Sequence, residues 1–134
     1  MNVLETEWWT MAIPPEWWAD TEEDSILVGD RDEVGCIEIS TLVKDEGDFP
    51  QGAAKDIAET ESEQSVEWQA VTLGEFQGCR SSYVDEGTAV REWYATHGAL
   101  LLFITYSCDA ENGGMDDAAV NEILDTLLVQ KASS

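Results

Sequence analysis

Basic side chains are scarce in this sequence. Six Lys and Arg stand against 29 Asp and Glu, a formal charge of −23 at pH 7. A field of that sign repels DNA, RNA and anionic lipid surfaces, so neither nucleic-acid nor membrane binding is expected. Histidine is scarcer still. His97 is the only one, and it falls in Thr96-His97-Gly98, where a solvent-facing turn residue is the plainer reading. A catalytic histidine needs a nucleophile and an orienting acid, and no G-x-S-x-G or similar signature accompanies it. The three cysteines, Cys36, Cys79 and Cys108, are far apart and form no C-x-x-C pair. That argues against a tight four-ligand zinc site and for small buried hydrophobes. No apolar run approaches the ~20 residues needed to span a bilayer. The N-terminus MNVLETEWWT has no basic or apolar leader region. The expectation is a cytoplasmic protein without cofactor or metal.

What is present is core material. At 134 residues with 43% apolar content, the chain is sized for one domain, 1–134, with its own core. The most informative stretch is Ala89–Cys108, AVREWYATHGALLLFITYSC. It predicts two strands joined at Thr96-His97-Gly98, with Gly98 supplying the positive φ of a short turn. Leu100 to Ile104 run on without a polar interruption, which predicts a central strand buried on both faces.

Around that hairpin, Glu7–Ile13 alternates as a strand with Trp9, Met11 and Ile13 on one face. Glu16-Trp17-Trp18 reads as a turn after Pro14-Pro15, and Ala19–Asp24 as a charged loop. Ser25–Asp30 and Cys36–Val43 are two further strands. Gln51–Gln64 turns helical, with Ala53, Ala54, Ile57 and Ala58 as its apolar stripe. Glu67–Leu73 is a fourth strand or an extended connector, and Cys79–Val84 leads into the hairpin. A last helix starts at Asp116 or Asp117 and runs to about Lys131, with Val120, Ile123, Leu124, Leu127 and Leu128 on one side. The order is β-β-β-α-β-β-β-α, an α+β chain whose neighbouring strands are antiparallel.

Several of these residues together carry a family likeness. They are Ile13-Pro14 with Glu16-Trp17, then Leu73-Gly74-x-Phe76-x-Gly78 and Arg91-x-Trp93. Leu101-Leu102-x-Ile104-Thr105-Tyr106-x-Cys108 follows, ahead of the C-terminal helix. In these the chain resembles the PsbP-like superfamily, which also takes in Mog-like Ran-binding proteins and bacterial chaperones of type VI secretion effectors. The resemblance implies an α/β/α sandwich with a six-stranded, mainly antiparallel sheet, and a binding module rather than an enzyme. It carries over no catalytic residues.

Two loops, Asp30–Gly35 and Asp109–Gly114, have acids at alternate places and glycine at the sixth. Thr41 and Val120 stand where an EF-hand needs its bidentate Glu, so calcium is not expected. The tryptophans say more. Trp17 and Trp93 belong to the core by pattern, while strand alternation in Trp8-Trp9 and Trp17-Trp18 sends one ring of each pair the other way. An exposed Trp ringed by acids has the anchor-and-rim composition of a protein interface. The functional expectation is therefore a non-enzymatic protein-binding module, an acidic immunity protein or chaperone that takes a basic toxin or secreted effector. Its candidate contacts are Glu22, Glu23, Asp24, Asp45, Glu46 and Asp48, with Trp18 and Trp68 as anchors. The alternative is a small-molecule or ion-binding domain using a pocket between sheet and helix. A third explanation of the acidity is solvation in a saline habitat.

Overall fold

A computed structural model of the chain describes residues 2–23, 25–31, 34–50, 52–61 and 67–130. Its centre is the predicted hairpin. Strand β8 (Thr88–His97) pairs antiparallel with β9 (Leu100–Asp109), His97 opposite Leu100. The turn is thus Gly98-Ala99, one residue later than expected, with Gly98 at φ 58°. β9 also pairs along its whole length with β5 (Gly35–Val43). β4 (Ile26–Asp30) and β3 (Trp17–Thr21) extend the sheet on that side. β7 (Phe76–Asp85) and β6 (Gln69–Leu73) extend it on the other. The order is β3-β4-β5-β9-β8-β7-β6, so β9 is the middle strand of seven.

Both faces of β9 are covered. On one side Leu102, Ile104 and Tyr106 join Trp17, Ile37, Ile39 and Trp93 in the main core. A second sheet closes that core, made of β1 (Asn2–Glu5), β2 (Trp9–Ile13) and β10 (Leu128–Val129) in the order β1-β2-β10. Helix α2 (Asp117–Leu124) completes the cover through Val120, Ile123 and Leu124. On the opposite side Leu101 packs with Cys79 and Tyr94 beneath Ala54 and Ala58 of helix α1 (Ala53–Glu61).

The six-stranded α/β/α sandwich is therefore corrected. The chain is mostly β, 54% strand and 17% helix, with a seven-stranded and a three-stranded antiparallel sheet. The missed strands lack an apolar alternation of their own. The sequence of β3 reads as a turn and a charged loop, because four of its five residues are exposed and polar or small apart from Trp18; pairing with β4 makes it a strand. β1 is almost wholly exposed and exists by pairing with β2. The last helix stops at Leu124 instead of running to about Lys131, because Leu128 and Val129 pair with Thr10 and Trp9 of β2. Gln51, residues 62–64 at the end of the first predicted helix, and Lys131 lie outside the described residues.

Candidate functional site

Antiparallel register decides which loops meet. Ile26 lies opposite Ile39 and Val43 opposite Leu100. The β3–β4 turn, the loop from β5 to α1 and the β8–β9 turn therefore share one end of the large sheet. The β3–β4 turn is closed by the Glu22 N–H on the Ser25 carbonyl (2.8 Å), and Ser25 Oγ donates to Glu38 on β5 (2.8 Å). The β5–α1 loop is latched to the hairpin: Lys44 N–H donates to the Ala99 carbonyl and Phe49 N–H to that of Gly98, both at 2.8 Å.

The β1–β2 turn reaches the same end. Thr6 Oγ1 accepts from the Trp8 N–H (3.2 Å) and the Trp9 N–H (2.9 Å) and itself donates to the Trp9 carbonyl. The extended chain then turns the two rings apart. Trp9 is fully buried, its Nε1 donating to Thr41 Oγ1 (2.9 Å). Trp8 is 38% exposed. It lines a cleft of about 340 Å³ whose other walls include Glu5, Glu22 and Glu23, over a floor of Ile39 and Thr41.

The candidate contacts are thus distributed in three groups. Glu22 and Glu23 stand beside Trp8, which sequence reasoning left unassigned although the doublet Trp8-Trp9 was the signal for it. Asp45, Glu46 and Asp48 are exposed on the β5–α1 loop at the same end. Trp18 sits at the start of β3, the far end of that strand from Glu22 and Glu23. Its ring is 40% exposed and its Nε1 donates to the Asp30 carbonyl (3.1 Å). Trp68 is in a different place again, half-buried beside α1 and edge-on to Tyr94 at 5.6 Å. Asp24 lies outside the described residues.

Among the described residues the one ion pair is Arg91 with Asp117 (3.3 Å). Glu5, Glu22, Glu23, Asp45, Glu46 and Asp48 have none, so their charge faces outward uncompensated. No group of three or more His, Cys, Asp or Glu among the described residues is placed to hold a metal ion. No described helix is long and apolar enough to cross a membrane. Cys79 is buried, and burial pushes its thiol pKa up to about 11, which keeps it protonated and poorly nucleophilic at neutral pH. His97 ends β8 exposed, with Nδ1 2.9 Å from the Glu75 carbonyl oxygen.

No family model matches the sequence, and no curated protein matches it. Among solved structures, a protein of Bacteroides thetaiotaomicron VPI-5482 superposes with a TM-score of 0.69 at 19% identity. The match covers 95% of this chain and 47% of that one, so this chain spans about half its length. LpqN of Mycobacterium tuberculosis, described as involved in cell envelope biogenesis, superposes with a TM-score of 0.60 at 17% identity. That match covers 92% of this chain and 83% of LpqN. At such identities the likeness is one of fold alone.

Proposed function

We propose that this chain is a non-enzymatic protein-binding module that captures a basic segment of another protein at the Trp8 end of the sheet. One observation carries the reading: an exposed indole lies in a cleft walled by Glu5, Glu22 and Glu23, with no cation of the described chain paired to them. A Lys or Arg side chain fits that chemistry twice over. Its charge is attracted to the ring face, and its N–H groups make charge-assisted hydrogen bonds to the carboxylates. Asp45, Glu46 and Asp48 extend the field and steer a basic partner towards the cleft. Escort or neutralisation of a basic protein, as by a secretion chaperone or an immunity protein, is the role that suits such a surface.

The test separates a site from mere acidity. Calorimetry of the full chain with an arginine-rich peptide is expected to show one saturable site, with an on-rate that falls steeply as salt rises. Trp8→Ala and the double variant Glu22→Gln/Glu23→Gln each weaken it about tenfold. Asp85→Asn/Glu86→Gln removes the same charge from the opposite end of the sheet and leaves affinity within about twofold. Equal losses in all three variants would mean a diffuse acidic surface and no site.

A further inference from the structure

A second cleft has the opposite electrostatic character. Helix α1 lies over β7 and β8 and meets them with small side chains, Ala54 and Ala58. The strands beyond its edge are also small-sided, with Ala70 on β6 and Gly78 and Cys79 on β7. Helix and sheet therefore meet without filling the groove between them, which leaves a cleft of about 730 Å³. Trp68 forms one wall, braced edge-on against Tyr94, and Phe49 from the β5–α1 loop forms another. Size and lining match a small-molecule site, apolar surface with a few polar groups.

The ionisable groups in this cleft define its ligand. Lys55 and His97 both line it. Lys55 makes no ion pair or hydrogen bond among the described residues, in a chain where acids outnumber cations 29 to six. His97 keeps Nδ1 on the Glu75 carbonyl oxygen at 2.9 Å, which leaves Nε2 for a ligand. The one carboxylate of the lining, Glu75, is already committed: its Oε1 accepts the Val129 N–H at 2.9 Å. A molecule of charge −23 thus turns two cationic groups towards its largest cleft. Its overall field opposes polyvalent anions there, while one negative charge is matched locally.

We infer that the cleft between α1 and the sheet binds a small organic monoanion, a carboxylate on an aromatic or hydrocarbon body. The body lies between Trp68 and Phe49, and the carboxylate lies within reach of Lys55 and His97. This site is separate from the basic-peptide cleft at Trp8, and either stands without the other.

The probes are 1-naphthoate and its uncharged analogue 1-naphthalenemethanol, added to the full chain and followed by amide chemical shifts. Saturable binding of naphthoate is expected, with shifts at residues 52–55, 68–70, 77–79 and 96–98. The neutral alcohol binds at least about tenfold more weakly. Lys55→Gln removes that preference and leaves the affinity for the alcohol unchanged. Ala70→Leu, at an exposed strand position, fills the cleft and abolishes both, while Trp8→Ala affects neither. Equal affinity for anion and alcohol, an unaltered preference in Lys55→Gln, shifts centred elsewhere, or no saturation at millimolar naphthoate would each overturn the inference.

Discussion

At the scale of single residues, the two rings of each tryptophan doublet have separate work. Trp9 is sealed in the main core and bonded to Thr41, so Trp9→Ala is expected to cost about 3–5 kcal/mol. Trp8 stands half in solvent, and Trp8→Ala should change stability by less than about 1 kcal/mol in urea denaturation while weakening peptide binding. Titration adds a second prediction. Burial raises the pKa of Tyr94 to about 12 and that of Cys79 to about 11, from ordinary values of 10 and 9. The folded chain holds these protons to higher pH than the unfolded chain does. Their contribution is therefore complete below pH 9 and is lost as pH rises from 9 to 12. Urea midpoints at pH 8, 10 and 12 should fall in that order, and Tyr94→Phe should flatten the upper part of the fall.

At the scale of elements, the short last strand depends on side-chain help. β10 contributes two residues to the small sheet, pairing with Thr10 and Trp9. Beyond it the ladder is continued by a hydroxyl: Thr126 Oγ1 accepts the Ala12 N–H (2.8 Å) and donates to the Ile123 carbonyl at the end of α2 (2.6 Å). Thr126→Val keeps the shape and leaves the Ala12 N–H unpartnered, so a loss of about 1–3 kcal/mol is expected. Faster amide exchange at Ala12 and in α2 would locate that loss. Across the large sheet, β7 and β8 come close at Gly78, where an added Cβ would meet the Tyr94 carbonyl. Backbone cannot yield as a flexible side chain does, and Gly78→Ala should cost about 1–3 kcal/mol. These elements also mark how far the sequence was legible. β2, β5 and β9 carry apolar patterns strong enough to read directly. β3 and β10 show none, because their hydrogen-bonding partners and not their side chains hold them extended.

At the scale of the whole molecule, charge matters most. The described residues contain a single ion pair, Arg91–Asp117, so nearly all the acids repel one another without local compensation. Screening weakens that repulsion. One molar sodium chloride is accordingly expected to raise the melting temperature by on the order of 5 °C. The same salt should slow capture of a basic peptide, and opposite signs in one buffer change distinguish the two effects of the field. A melting temperature that falls with salt would show that self-repulsion is not what limits this fold.

The sequence by itself determined the central hairpin, the two-sided burial of Leu100 to Ile104, the inward set Trp9, Met11 and Ile13, and the sign of the molecular field. Each rests on local alternation, apolar content or composition, which one stretch of chain carries unaided. The number of strands, the second sheet and the grouping of side chains were decided only by tertiary structure. Glu22 and Glu23 stand beside Trp8, and Lys55 beside His97, because strand register brings distant turns to a common end and lays α1 across β7 and β8. Register is set by the summed burial of many strands at once, and no single segment encodes it.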